Sequence, residues 1–327
     1  MKRNLIVILV TVSVLLVGLV LWAVHSVPSV TLETPPESST GNSTGSAPTQ
    51  TSTANTTVAT TPPVTVPPVS VPTIAENEYV GTLYTRAQLD AMDNSRQSVW
   101  PGYSNEGKRP SVVTAEHSKY NEQKAYFIGN NNSLVYLTFN CEDDPLIKDA
   151  SGNAISHTTL ILDTLKYQQI KATFFVTGSF CRTHPEMVQR IIDEGHILGN
   201  YGQSAVALPG LSTEEMVAQI MNLHTYVQEQ FGYTMQYFRP YGGAYSQRTF
   251  ALANSLGYTS ILYSAAYPDK DDTSTLTISQ ATEMLTSQIH KGAVFRLHTA
   301  SSVTVSILKD LIDTLREGYY RISLYQP

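Results

Sequence analysis

Apolar positions fall into three regimes along this chain, and each predicts a different kind of structure. Leu5 to Val24 is an almost unbroken apolar run, interrupted only by Thr11, Ser13 and Gly18. At 1.5 Å per residue, ~20 residues cover the ~30 Å hydrocarbon core of a bilayer. Lys2 and Arg3 precede the run and no charge directly follows it, which predicts an anchor over 1–27 with its N-terminus in the cytoplasm. The alternative is a cleaved signal peptide, for which Leu21-Trp22-Ala23-Val24-His25 offers a poor cleavage site. Between 28 and 75 the apolar pattern disappears: 29 of 48 residues are Ser, Thr or Pro, and Glu33 and Glu37 are the only charges. Such a segment buries too little apolar surface to offset its conformational entropy, so an extended, disordered linker is expected.

The third regime alternates strand and helix patterns. Strands are expected at Leu134–Phe139, Ala172–Thr177, Ile197–Gly199, Met235–Phe238, Thr259–Tyr263, Ala293–Leu297 and Tyr320–Leu324. Helices are expected at Thr158–Gln168 (Leu160, Leu162 and Leu165 inward), Pro185–Glu194, Ser212–Phe231, Ser246–Leu256, Ile278–Ile289 and Ser302–Glu317. Ser212 with Glu215 forms a capping box, and Pro185 and Gly195 bracket their helix in the preferred order. Crossovers of this length permit parallel pairing, so the class is α/β, as a barrel or a doubly wound sheet. Residues 76–131 read as an extension packed on that domain, with one short helix capped by Thr85.

Composition narrows the partners. With 21 basic against 27 acidic residues the net charge is −6, which gives no general attraction to phosphate backbones, so nucleic acid is not an expected partner. Two cysteines exclude a disulfide scaffold and a four-cysteine zinc module. In a parallel barrel the functional residues sit at strand C-terminal ends. Those ends carry Asn140-Cys141-Glu142-Asp143-Asp144, Thr177-Gly178, Asn200-Tyr201, Arg239-Pro240-Tyr241-Gly242, Ser264 to Asp269, and His298-Thr299.

This succession resembles the NodB-homology polysaccharide deacetylases (carbohydrate esterase family 4), especially the branch acting on muramic acid residues of peptidoglycan. The resemblance spans roughly Asn132 to Tyr325. It rests on Y-L-T-F, I-L-D-x-L, K-A-T-F-F-V-T-G, D-E-G-H-x-x-G-N, F-R-P, G-Y-T, Y-S-A-A-Y-x-D and L-H-T-x-S in one order. It implies a distorted (β/α)7 barrel over 132–327 in which a metal-activated water attacks an N-acetyl carbonyl. It also implies a retained arginine (Arg239), a retained acid (His298) and its supporting carboxylate (Asp269). Tyr201, Tyr241 and Tyr267 are the expected substrate contacts.

The chain departs from the family pattern where the chemistry is concentrated. Asn140 stands at the base position, and an amide cannot take up a proton there. Cys141, Tyr201 and Ala205 stand at the three metal-ligand positions. The expectation is therefore a membrane-anchored, extracytoplasmic homologue without catalysis or a bound metal, which binds cell-wall glycan or a cell-surface protein. The alternative is an active N-deacetylase using Zn2+ or another divalent metal, held by Asp143, Asp144 and His157 from the Glu142–His157 insertion. The plainer reading of that insertion is a solvated acidic loop ending in a helix cap. Cys141 and Cys181 follow neighbouring strands on one rim, within reach of a disulfide in an oxidising compartment. Two unpaired thiols, with Cys181 buried, are the alternative to that bridge.

Overall fold

The computed structural model describes residues 70–98, 100, 107–149, 151–270 and 276–325. The expected anchor over 1–27 and most of the linker lie outside the described residues. Among the described residues, no helix is long and apolar enough to cross a membrane.

Nine strands form one parallel sheet: β1 (Ala125–Tyr126), β2 (Leu134–Cys141), β3 (Thr173–Val176), β4 (Ile197–Asn200), β5 (Tyr237–Phe238), β6 (Thr259–Ile261), β7 (Ala265–Ala266), β8 (Val294–His298) and β9 (Arg321–Ile322). Their order is β7-β8-β2-β3-β4-β5-β6-β1, with β9 paired to the start of β2. All seven expected strands are present. No pairing among the described residues links β7 to β1, so the sheet is a curled half-barrel rather than a closed ring. Two further strands were not legible in the sequence. Each is two residues long, too short to show a period. One of them, β1, belongs to the N-terminal extension and pairs in parallel with β6 through Ser260↔Ala125 and Ile261↔Tyr126.

The helices are α1 (Arg86–Asp90), α2 (Ser111–Tyr120), α3 (His157–Tyr167), α4 (Gly178–Thr183), α5 (Pro185–Asp193), α6 (Thr213–Phe231), α7 (Gln247–Ser255), α8 (Ile278–Thr286) and α9 (Ser302–Glu317). Capping boxes at Thr85/Gln88 and Ser212/Glu215 start α1 and α6 as their sequences require. On α3, Ile161, Leu162 and Leu165 are buried while Leu160 is only half-buried, which rotates the expected apolar face slightly. The Glu142–His157 insertion forms an antiparallel hairpin, Leu146–Lys148 with Ala154–Ser156.

Strand alternation separates two apolar clusters and thereby aims the side chains that matter. Leu137, Phe139 and Cys141 of β2, Phe174 and Val176 of β3, and Phe295 and Leu297 of β8 join the larger cluster with the helices. Tyr136, Phe175 and Val294 join the second cluster, inside the curl. The period of two therefore sends Asn140, Arg296 and His298 to the concave side and Cys141 to the convex side. Gly199 on β4 is dictated by this packing, because a Cβ there would lie 2.6 Å from the Phe175 ring.

Candidate active-site cleft

A cleft of about 480 Å3 opens at the C-terminal ends of the strands. Its walls include Trp100, Asn140, Glu142, Tyr201, Arg239, Tyr241, Tyr263, Asp269, Lys270, Arg296 and His298.

Arg239 builds the floor. It follows β5, is fully buried, and lies over the Phe175 ring at 4.1 Å. Its Nε donates to the Ile261 carbonyl (2.9 Å), one terminal nitrogen to the Leu262 carbonyl (2.8 Å), and the other to Asn140 Oδ1 (2.9 Å). Burial pushes the guanidinium down to about 9, so it remains charged at neutrality. It forms no ion pair with any described carboxylate.

The Arg239 bond fixes which way the Asn140 amide points. Oδ1 must accept from the arginine, so Nδ2 faces Tyr201 Oη at 2.9 Å and His298 Nε2 at 3.1 Å. An amide nitrogen only donates, so His298 Nε2 accepts and the ring proton sits on Nδ1. That proton is donated to Asp269 Oδ1 at 2.9 Å. Asp269 Oδ2 accepts from the His298 backbone N–H (2.8 Å) and from Thr304 Oγ1 (3.0 Å). The structure thus brings Asp269 and His298 together, but Nε2 is taken up by the Asn140 amide and holds no acidic proton toward the cleft.

Tyr201 Oη also accepts from the Gly242 backbone N–H at 3.1 Å, and burial raises its phenol well above the ordinary range. Tyr241 stands 5.0 Å from it, ring to ring, and donates to Glu142 Oε2 at 2.6 Å. The other Glu142 oxygen lies 3.9 Å from His298 Nε2.

Several sequence expectations are corrected here. Tyr267 is buried behind the cleft wall, where its hydroxyl pairs with Thr304 Oγ1 at 2.7 Å, so it is not positioned as a substrate contact. Asp143, Asp144 and His157 do not converge. Asp143 is exposed beside His184, Asp144 accepts from the Thr158 N–H at the start of α3, and both ring nitrogens of buried His157 lack a partner. No group of three His, Cys, Asp or Glu able to hold a metal occurs among the described residues. Cys141 and Cys181 are both buried free thiols rather than a disulfide. Strand alternation turns Cys141 into the helix-side apolar cluster, where Cys181 of α4 also packs, instead of over the rim.

Four lining residues, Trp100, Tyr263, Lys270 and Arg296, escaped the sequence reading. Arg296 shares its β8 face with His298, two positions on, and that spacing was the available signal. Lys270 follows Asp269 at the rim, and Trp100 arrives from the extension with no local pattern to mark it. The Arg296 guanidinium sits 4.8 Å from the Tyr263 ring and 5.4 Å from the Trp100 ring.

Comparison with known proteins agrees with this geometry. The family described as polysaccharide deacetylase matches residues 129–261. An uncharacterized 30.6 kDa protein of Geobacillus stearothermophilus is 31% identical over 68% of this chain and 81% of its own length. The peptidoglycan-N-acetylmuramic acid deacetylase PdaA of Bacillus subtilis is 29% identical over 64% of this chain and 77% of its own. The solved structure of Bacillus subtilis PdaA, a family 4 carbohydrate esterase, superposes with a TM-score of 0.64 at 26% identity, covering 71% of this chain and 96% of that one. A half-barrel with Arg239 beneath residue 140 and an Asp269–His298 pair at its rim accompanies these matches, and the chain belongs to the polysaccharide deacetylase family.

Proposed function

We propose that this protein recognises cell-wall glycan through its cleft and does not carry out the metal-dependent deacetylation for which its relatives are named. The cell-wall class of ligand is supported by similarity to PdaA, whose name specifies peptidoglycan. The observation that carries the rest is the amide at position 140. Arg239 and His298 hold Asn140 in one orientation, with its NH2 group turned into the site where a base would have to accept a proton.

The residues present do not fit a divalent metal. Cys141 faces the helix-side core, and burial keeps its thiol far above the range at which a thiolate forms. The Tyr201 hydroxyl is engaged by Asn140 and Gly242, and Ala205 has no donor atom and is exposed. What the chain supplies instead is a binding surface: aromatic faces at Tyr241 and Trp100 and a carboxylate at Glu142. We further propose that the apolar run before residue 27 holds this domain at the outer face of the cell membrane.

The test uses the full chain with and without added zinc. Acetate release from N-acetylchitooligosaccharides and from peptidoglycan is measured alongside equilibrium binding of muropeptides. Binding without acetate release is expected. Zinc-stimulated acetate release would overturn the reading.

A further inference from the structure

We infer that Tyr201 aligns the bound glycan by donating its phenolic proton to an uncharged oxygen of the ligand; this rests on the glycan-binding reading and assigns the residue that performs it. Asn140, His298 and Tyr201 meet at the cleft floor, and their protons can be counted. Both hydrogens of Asn140 Nδ2 are given away, one to Tyr201 Oη at 2.9 Å and one to His298 Nε2 at 3.1 Å. The single ring proton of His298 goes to Asp269 Oδ1 at 2.9 Å. Tyr201 Oη accepts twice, from Asn140 and from the Gly242 backbone N–H at 3.1 Å, which fills both of its lone pairs. Of the three groups, the phenol alone has a proton left to give. Among the described residues, none accepts it.

The phenol is held where it stands. Its ring is buried in the apolar cluster inside the curl, and its backbone N–H bonds to the Val176 carbonyl at 3.0 Å. Gly242 reaches its oxygen from a left-handed turn (φ 65°), a conformation glycine adopts without strain. A buried hydroxyl whose proton meets no acceptor is costly, and the cleft that Tyr201 lines is the space from which an acceptor can come. The neighbouring charge decides what kind. Burial first and the Glu142 charge second hold the phenol far above its ordinary range, so it stays protonated at neutrality. Glu142 is itself taken by the Tyr241 hydroxyl at 2.6 Å. A second anion beside that carboxylate would be repelled, whereas a carbonyl, hydroxyl or ring oxygen is not. The position that the family pattern gives to a metal-binding imidazole thus holds a neutral donor, able to engage a ligand oxygen without a metal.

Calorimetric titration of the full chain with muropeptides tests this through two changes at residue 201. Tyr201→Phe removes the proton and should weaken binding about three- to tenfold, the worth of one hydrogen bond. It also strands the N–H groups of Asn140 and Gly242, so a second change separates donation from support. Incorporating 3-fluorotyrosine in place of Tyr201 keeps both of those bonds but makes the phenol a stronger donor and a weaker acceptor. Muropeptide binding should then tighten about twofold, because the bond to the ligand is the one in which the phenol donates. If the phenol only holds Asn140 and Gly242 in place, the fluorinated protein binds equally or more weakly. That result would overturn the inference while leaving the glycan reading intact, as would unchanged binding by Tyr201→Phe. No muropeptide binding by the wild type would overturn both.

Discussion

Replacing Asn140 by alanine should unfold the cleft floor at a cost that can be worked from its contacts. The substitution removes the acceptor of one Arg239 N–H and the donor that faces both Tyr201 and His298. Stranding a donor on a charged, buried group costs about 1.5–3 kcal/mol, and leaving the neutral partners unsatisfied adds about 1–3 kcal/mol. Water admitted to the gap offsets part of this, so a net loss of about 3–5 kcal/mol is expected. For a domain of this size that corresponds to a fall in Tm of roughly 10 °C. Asn140→Asp serves as the matched control, because it keeps the acceptor for Arg239 and adds the charge the arginine lacks. It should be within about 1 kcal/mol of the wild type. Urea titrations followed by far-ultraviolet circular dichroism at neutral pH measure both variants. An alanine variant within about 0.5 kcal/mol of wild type would refute the assignment of Asn140 as the node of the floor, since that is the ordinary range for a surface change.

Two other outcomes follow from buried groups. Burial pushes His196 and His290 down to about 4, whereas an unfolded chain titrates them near ~6.5. As pH falls below ~6.5 the unfolded state takes up protons that the folded state refuses, so stability is whole above ~6.5 and is lost progressively toward pH 4. Urea denaturation at pH 7 and pH 5 should show a loss of at least about 1 kcal/mol; equal stability would contradict the burial of both rings. The Cys141 thiol is held well above its usual range and burial pushes Cys181 up to about 12. Unreduced protein should therefore react slowly with a thiol reagent when folded and yield two thiols when denatured, and fewer than two would show that a bridge forms after all.

How much of this was legible in the sequence depended on whether a local pattern existed. The seven long strand patterns and the capped helices were readable because period and caps are written in consecutive residues, as in Ser212–Glu215 of α6. Helix α2 was not, because Ser111–Tyr120 starts at Pro110 without a side-chain cap and carries almost no amphipathic pattern. At the site, Asn140 and His298 lie at the ends of recognisable strands and Arg239 directly follows one, and the structure brings them with Asp269 to one cleft. The bridge between Cys141 and Cys181 was misjudged for a reason of parity. One residue along a strand reverses the face, so a neighbour of Asn140 had to point away from the rim. Tyr267 was misplaced for a related reason: its motif fixed its position in the chain but not the inward turn that hands its hydroxyl to Thr304. The polarity of His298 was beyond any motif, since it depends on an amide orientation imposed by an arginine 99 positions away.

The short strand β1 has a practical consequence for where this domain can be cut. Similarity to the family begins at residue 129, yet β1 spans Ala125–Tyr126 and covers the far side of β6. The Ser260 and Leu262 amides bond to the Lys124 and Tyr126 carbonyls, and Gln97 pairs with Tyr245 through two backbone bonds. Trimming the protein to the family boundary would strip those partners and leave a row of unsatisfied amides and carbonyls along β6. An exposed edge of that kind is a template for strands of other molecules. A fragment starting at residue 129 is therefore expected to aggregate, and one that keeps the chain from residue 70 to stay dispersed. The boundary of the folding unit is set by the last strand to be paired, upstream of the boundary of resemblance.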